Sequence, residues 1–429
     1  MTEKRNMHIP GPENIHSLTL ENGVTVLSFS NTNSQTVYIV GILRGGGVQD
    51  PAGKTGLAHF TANLLNRGTQ STDFGTFHQL LESAGASLSF SCGTQHAWFR
   101  GKALAEDAGL LFRLAAEGLR EPAFPAEYVE RLRRQLLTGL SIRDQDPSEV
   151  ASMLLDAHLF PAHPYGQPVD GTIQTLTGII REDIKQFHAD NYRPDDLTIV
   201  IAGNFSPKTV ETLANEFFAS WENLQKPTST VPILPDPPAS ILRKHAFIEG
   251  KSQTEVILGS YGPARTSQDF TPVYIGNNIL GQFGLMGRIG KSVRSKSGLA
   301  YTASSSVSGW ADVGTWDFSA GVNPDNTEKA IGLIREEIRA FIENPVTDEE
   351  LENTQSHLTG RMPMALESNG GLANAILTMQ RFNLGLDYYQ NYRQMIEDVS
   401  AEDILEASRR YLHPDKLVIA SAGPGADIQ

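Results

Sequence analysis

Hydrophobic residues alternate with polar ones early in each half of the chain and take helical spacing after that. Val24 to Ser30 and Thr36 to Leu43 alternate in this way and are rich in Val and Ile, which predicts two neighbouring strands. Helical spacing follows in Glu106 to Leu119 and Pro125 to Ile142, and Leu197 to Ala202 is typical of a buried strand. This order predicts an α+β fold of two homologous domains, each a mostly antiparallel sheet with helices packed on one face.

An internal repeat indicates that the chain is duplicated. Residues 182–203 align with residues 402–423 at an offset of 220, and nine of these 22 positions are identical. Between the copies, the segment from Trp221 to Ser240 carries five prolines, which disfavour helix and central strand alike. We therefore predict an N-terminal domain over residues 1–225, a linker over residues 226–240 and a C-terminal domain over residues 241–429.

Composition narrows the classes of protein that the chain can belong to. With 429 residues, 40% hydrophobic and 20% charged, it is long enough for two globular domains. The formal net charge of -14 repels phosphate backbones, so nucleic acid is excluded as a partner. Cys92 is the only cysteine, which leaves no internal disulfide and no thiolate cage for a metal. No uncharged apolar run approaches membrane-spanning length, so we expect a soluble chain with no membrane partner.

A degenerate metal-binding motif lies in the first half. The apolar residues of Gly56 to Thr69 have helical spacing, which predicts a short amphipathic helix closed by Gly68. The segment resembles the metal helix of the insulinase or pitrilysin family of zinc peptidases, whose HxxEH motif supplies two zinc ligands and a general base. Here the sequence is HFTAN, so only His59 remains, while Ala62 and Asn63 stand where the glutamate and the second histidine would be.

The resemblance also indicates where a third zinc ligand would lie. It falls within Leu137 to Leu140, and no acidic residue occurs from Arg131 through Arg143. One imidazole holds zinc weakly, and without a glutamate no base is positioned for a nucleophilic water. We therefore expect no metal and no cofactor in this chain, and His59 becomes an ordinary helix residue.

A second family segment, Leu280 to Ser306, keeps its polar residues. It resembles the glycine-rich loop, helix and strand of the family, with Arg294 and Tyr301 matching an R-x6-Y pair. The resemblance implies that Tyr301 donates to the oxyanion of the tetrahedral intermediate and that Arg294 holds a substrate carbonyl. By residue type alone, Arg294 fits equally a solvated basic helix end and Tyr301 an ordinary strand aromatic. The substrate-loop glycines that the resemblance implies are Gly281, Gly284 and Gly287.

Together these segments imply a subunit rather than a complete enzyme. The chain resembles the inactive subunit of bacterial two-chain members of the family, similar to the subunits of mitochondrial processing peptidase. The resemblance implies a heterodimer with an HxxEH-containing paralogue that holds the zinc, peptide substrates and no activity of this chain alone. It places the protein in the periplasm if a signal peptide has been removed, and otherwise in the cytoplasm. The alternative is a catalysis-free scaffold, like the core proteins of respiratory complexes, which has no need of Arg294 and Tyr301.

Overall fold

The chain folds into two compact units, each built on one β-sheet. A computed structural model describes residues 9–222, 233–282 and 287–424. The strands of the first sheet are β1 Ile15–Thr19, β2 Thr25–Ser30, β3 Thr36–Leu43, β4 Ser87–Cys92, β5 Ala97–Leu104 and β6 Thr198–Gly203. Those of the second are β7 Leu242–Phe247, β8 Thr254–Gly262, β9 Ala300–Gly309, β10 Gly314–Val322 and β11 Val418–Gly423.

Along the sequence, most helices lie between the strands of their own half of the chain. In the first half they are α1 Leu57–Ala62, α2 Phe74–Ser83, α3 Ala108–Arg120, α4 Ala126–Arg143, α5 Pro147–Leu159, α6 Ile173–Gly178, α7 Arg181–Asn191 and α8 Pro207–Phe218. In the second half they are α9 Phe270–Asn277, α10 Thr327–Glu343, α11 Asp348–Ala365, α12 Asn369–Arg381, α13 Tyr388–Glu397 and α14 Ala401–Tyr411. Two π-helical turns, Asn278–Gln282 and Gly290–Lys296, follow α9.

The first sheet has the strand order β1-β2-β6-β3-β5-β4. The prediction that β2 and β3 are neighbours is therefore wrong, because β6 lies between them, parallel to β2 and antiparallel to β3. The physical reason is that β6 is buried on both of its faces. Residues Ile199 to Gly203 are all buried, so both faces of this strand need cover, which only a central position provides.

Both faces of the first sheet are covered by helices, whereas the sequence pattern predicts helices on one face only. Val26, Ile199 and Ile201 point into the main core, in which α3 and α8 pack. Their sequence neighbours point to the other face, where α12 packs against β6 and β3. This is the alternation that a pleated strand imposes. The first unit thus includes a helix that comes from the second half of the chain.

The second sheet, in the order β7-β11-β8-β10-β9, is built in the same way. Its main core lies against α9, α10 and α14, and α5 from the first half packs on the opposite side of β8 and β11. The exchanged segments are Ser141–Gln167 in the second unit and Met362–Asn391 in the first, and their starts are 221 residues apart. The two exchanged segments therefore occupy equivalent positions in the two copies of the sequence repeat.

The α+β fold with two mostly antiparallel sheets is confirmed. The division of the chain at residues 226–240 stays a prediction, since residues 226–232 lie outside the described residues and the compact units also exchange two helical segments. Within the described ranges, no helix is both long and apolar enough to cross a membrane.

Candidate functional site

The helix that resembles the family's metal helix begins at a partly buried carboxylate. The backbone N–H groups of Gly56 and Ala58 each donate to Asp50 at 2.7 Å, so this side chain caps the N-terminus of α1. Burial raises the pKa of Asp50 to about 7, although these backbone hydrogen bonds favour its ionised form. The local frame of the metal helix is thus retained.

The helix is shorter than the sequence pattern predicts. It ends at Ala62, and Gly68 lies six residues further on, with φ +111, so the prediction that Gly68 caps the helix is wrong. Asn63 ends the helix instead, because its side-chain Nδ2 donates to the His59 carbonyl at 2.8 Å and competes for the next helical bond. Beyond Asn63 the chain passes through Leu64 and Leu65 in tight turns rather than in α-helix.

His59 shares a helix face with Asn63, as the spacing predicts, but the group does not fit a zinc ion. The Nδ1 atom of His59 is shielded from solvent and has no hydrogen-bond partner among the described residues. Burial lowers the pKa of His59, and the charge of Asp170 offsets this only in part, so the imidazole is neutral. Ala62 is fully buried in the core and offers no ligand.

The segment that would carry the third ligand is apolar as well. Leu140 is buried and Leu137 packs against the same core, both on α4. Among the residues that the structure describes, no group of three or more His, Cys, Asp or Glu side chains is arranged to hold a metal ion. Tetrahedral zinc sites need three or four protein ligands, so this region does not provide one.

In the second unit, two of the predicted loop glycines, Gly281 and Gly287, lie close together. An added Cβ on Gly287 would lie 2.9 Å from Gly281 Cα, and one on Gly281 would lie 2.5 Å from the Ser305 backbone nitrogen on β9. The two glycines are therefore in close contact with each other, and Gly281 is in close contact with β9. Gly284, the third predicted loop glycine, lies outside the described residues.

A buried asparagine that the sequence pattern did not reveal holds α9 against the strands beside these glycines. The Oδ1 atom of Asn277 accepts from Ser305 Oγ at 2.7 Å and from Trp316 Nε1 at 3.0 Å. These bonds join α9 to β9 and β10 in a buried setting, where unmade hydrogen bonds are costly. The available signal was the pair of asparagines, Asn277 and Asn278, inside an otherwise apolar helical run.

The close approach of the two glycines gives a stability prediction. Replacing Gly287 with alanine should lower the free energy of unfolding by roughly 1–3 kcal/mol, because the methyl group has no space. The matched control is Gly332→Ala on α10, where an added Cβ meets nothing within 4 Å and alanine should stabilise the helix. Urea denaturation of both variants measures the effect, and equal stabilities would contradict the described packing.

Arg294 lies on the second π-helical turn, just before β9. Gly298, with φ +63, lies two residues beyond the end of this turn, and its N–H donates to the Arg294 carbonyl at 3.0 Å. The N–H of Leu299 then donates to the Val293 carbonyl at 3.1 Å. A glycine in the left-handed region turns the chain sharply here, which brings β9 back beside Arg294.

Tyr301 lies at a β-bulge. Ala300 pairs with Val322 and Ala303 pairs with Ala320, so Tyr301 and Thr302 together oppose the single residue Gly321. Such bulges redirect side chains out of the regular alternation. As a result Tyr301 is 75% exposed, at the start of a strand that lies on the edge of the sheet.

The structure brings Arg294 and Tyr301 together. The guanidinium carbon of Arg294 lies 5.2 Å from the centroid of the Tyr301 ring, which is cation–π distance. Tyr301 thus presents a phenol hydroxyl, and Arg294 a permanently charged guanidinium with several N–H donors, on the same surface. Groups of this kind can stabilise negative charge that develops on an oxygen.

These features define the class of protein: an α+β chain of two duplicated units, one with the remnant of a zinc helix and the other with a half-buried arginine beside an exposed tyrosine. A family model described as "Insulinase (Peptidase family M16)" matches residues 25–173, and one described as "Peptidase M16 inactive domain" matches residues 178–358. The chain belongs to the insulinase family of peptidases, peptidase family M16.

Relatives within the family are similar over most of their length. An uncharacterized zinc protease of Streptomyces coelicolor is 26% identical over 325 residues, which cover 75% of this chain and 70% of that protein. Another uncharacterized zinc protease, from Bacillus subtilis, is 22% identical over 417 residues, covering 96% of this chain and 99% of that one.

Two solved structures share the fold over nearly the whole chain. The crystal structure of a peptidase M16 inactive domain from Pseudomonas fluorescens has a TM-score of 0.89 and 26% identity, and the match covers 97% of this chain and 99% of that one. A protease from Helicobacter pylori has a TM-score of 0.88 at 21% identity, covering 97% and 100%, and this likeness bears on the fold alone.

Proposed function

We propose that this chain is the non-zinc-binding subunit of a two-chain zinc metalloendopeptidase. An HxxEH-containing paralogue would hold the metal, and this chain would supply Arg294 and Tyr301. The observation that carries the proposal is the position of Arg294 beside the exposed ring of Tyr301 at the β-bulge. The poor fit of the His59 region to zinc and the likeness to a peptidase M16 inactive domain support it.

In this proposal the two side chains act on different atoms of a bound peptide. The hydroxyl of Tyr301 donates to the carbonyl oxygen of the scissile bond as negative charge develops there, and so it stabilises the transition state. The guanidinium of Arg294 donates to a neighbouring carbonyl of the substrate and orients the peptide. Zinc, when bound by the partner, supplies the Lewis acid for hydrolysis.

The position of Tyr301 on an edge strand bears on substrate selection. On one side β9 pairs with β10, and no strand among the described residues pairs with its other side. Such an edge can accept an extended peptide through backbone hydrogen bonds, which read the peptide's backbone more than its side chains. We therefore infer a broad specificity for unfolded or short peptides.

Co-expression tests the proposal directly. The chain is produced with a tagged HxxEH paralogue from the same genome, and size-exclusion chromatography measures whether they form one complex. We expect the complex to hydrolyse a fluorogenic peptide in a chelator-sensitive manner and each chain alone to be inactive. Chelator-sensitive hydrolysis by this chain alone, with one zinc per chain, would refute the proposal.

Restoring the motif in this chain should not create a peptidase. The double substitution Ala62→Glu and Asn63→His supplies the base and a second histidine, but the third ligand is still missing between Leu137 and Leu140. The site therefore holds zinc weakly. The measurements are zinc content and peptide hydrolysis of the purified variant. Robust zinc-dependent turnover would show that another residue provides the third ligand.

A further inference from the structure

The second sheet has an open edge at β7, where the first sheet has an additional strand. The strands β2 and β7 are equivalent, because each pairs in parallel with the strand that carries the sequence repeat, β6 or β11. Thr25 of β2 pairs with Thr198, and Leu242 of β7 pairs with Val418, which matches Thr198 at the repeat offset of 220. In the first unit β1 covers the outer side of β2. No strand in the described part of the second unit takes that place beside β7.

The backbone of β7 directs hydrogen-bonding groups to this open side. The N–H of Leu242 donates to the Leu417 carbonyl at 2.9 Å, so the even-numbered residues of the strand bond to β11. In a parallel pair, the residues between them direct their N–H and C=O groups away from that neighbour. The backbone groups of Arg243, His245 and Phe247 therefore point to the open side.

The side chains of β7 differ from those of the covered strand. Where β2 has the buried residues Val26 and Leu27, β7 has Arg243 and Lys244. Phe247, at the end of β7, is 67% exposed. Burial of its ring against an added strand would remove apolar surface from water, which is favourable.

The open edge is basic, although the chain as a whole is acidic. Residues 237–248 contain no acidic residue, in a chain of net charge -14. Arg243 pairs with Glu328 of α10 at 2.7 Å, whereas Lys244 is exposed and forms no ion pair with any residue that the structure describes. An acidic segment is therefore attracted to this edge.

A second copy of β7 suits the edge less well. Full antiparallel pairing of two β7 strands places Lys244 of each copy opposite His245 of the other, with Arg243 one position away. Like charges opposite each other on neighbouring strands are destabilising. The charge of the edge thus favours an acidic strand from a different protein.

We propose that the β7 edge binds an extended acidic segment of another protein, which adds a sixth strand to the second sheet. The segment lies antiparallel to β7, as β1 lies on β2, and bonds to the backbone groups of Arg243, His245 and Phe247. Its acidic side chains lie at cross-strand distance from Lys244. This surface is distinct from β9, which forms the opposite edge of the same sheet.

Three end-blocked fluorescent peptides test this proposal on the full chain. The first alternates glutamate with valine, the second has glutamine in place of glutamate, and the third is the first peptide with methyl groups on its central backbone nitrogens. Fluorescence anisotropy measures the three dissociation constants. We expect the first peptide to bind roughly tenfold more tightly than either of the others, because they lack the charge or the N–H donors.

Hydrogen exchange measured by mass spectrometry locates the bound peptide. The first peptide should slow exchange of the outward amides of Arg243, His245 and Phe247, because these become donors to the added strand. Protection of β9 alone would overturn the proposal. Slow exchange of the three amides in the free chain would also overturn it, because the edge would then already be covered.

Lys244→Glu reverses the charge of the edge at an exposed position, and it should weaken binding of the first peptide roughly tenfold. The control Lys208→Glu makes the same change at an exposed lysine on α8 in the first unit and should leave the affinity unchanged. Urea denaturation checks that both variants are folded. Equal binding of the three peptides, binding of none, or full affinity of Lys244→Glu would each overturn the proposal. A dimer of the full chain that Lys244→Glu dissociates would assign the edge to a second copy instead.

Discussion

Replacing Tyr301 with phenylalanine should lower kcat of the reconstituted pair by about 10² to 10³. That range corresponds to roughly 2.7 to 4 kcal/mol of transition-state stabilisation, the usual cost of losing one donor to an oxyanion. Because the hydroxyl is needed only as charge develops, KM should change little. The exposed position of Tyr301 at the bulge means that loss of the hydroxyl leaves no buried group unpaired, so stability should be unchanged.

Steady-state hydrolysis of a fluorogenic peptide measures this effect, with size-exclusion chromatography to confirm that the complex is intact. Tyr274→Phe on α9 is the matched control, since it removes a phenol hydroxyl from the same unit away from the bulge. Unsubstituted rates for Tyr301→Phe in an intact complex would favour the scaffold alternative and remove the main reason to regard this chain as catalytic.

Arg294→Ala should act on the same complex in a different way. We expect it to raise KM as well as lower kcat, because a guanidinium that holds a ground-state carbonyl contributes roughly 1.5–3 kcal/mol to binding. Arg294→Lys keeps the charge but not the planar fork, so it should restore only part of the binding. If Arg294→Ala changed kcat alone, the assignment of Arg294 to substrate binding would be wrong.

The second large effect concerns the pH dependence of stability. Burial first and Asp156 second raise the pKa of Asp317 from 3.8 to about 7 in the folded chain. Between these two values the native state keeps a proton that the unfolded state has released. The free energy of unfolding therefore falls as the pH rises from about 4 to about 7. Since one pKa unit is worth about 1.36 kcal/mol, the loss from this group is at most about 4 kcal/mol.

Asp317→Asn should abolish that part of the pH dependence, because an amide does not titrate. Relative to the unsubstituted chain, the variant should become progressively more stable from about pH 4 to about pH 7 and then keep a constant advantage. Urea denaturation at a series of pH values measures the difference. Glu336→Gln, at an exposed position on α10, controls for the loss of one negative charge. Parallel pH profiles of Asp317→Asn and the unsubstituted chain would contradict the raised pKa of Asp317.

Several features of the candidate site could be predicted from local sequence. The replacement of two motif residues by Ala62 and Asn63 is a matter of residue identity, and the structure adds only that Ala62 is buried. Arg294 and Tyr301 were singled out by their resemblance to the family's R-x6-Y pair, and the structure places the guanidinium 5.2 Å from the tyrosine ring, while their role stays a prediction. The raised pKa of Asp317 was not predicted, because its causes are burial and Asp156, which lies on α5 and far from β10 along the chain.

The sequence by itself determined the duplication, the α+β class and the incomplete zinc motif, since these depend on residue type, short-range spacing and a repeat along the chain. Only the tertiary structure decided that β6 separates β2 from β3 and that α5 and α12 pack in the other half's unit. Strand pairing and helix docking join residues hundreds of positions apart, and many partners have similar hydrophobic patterns. The bulge at Tyr301 belongs to this second group, because a bulge exists only relative to the paired strand, here at Gly321.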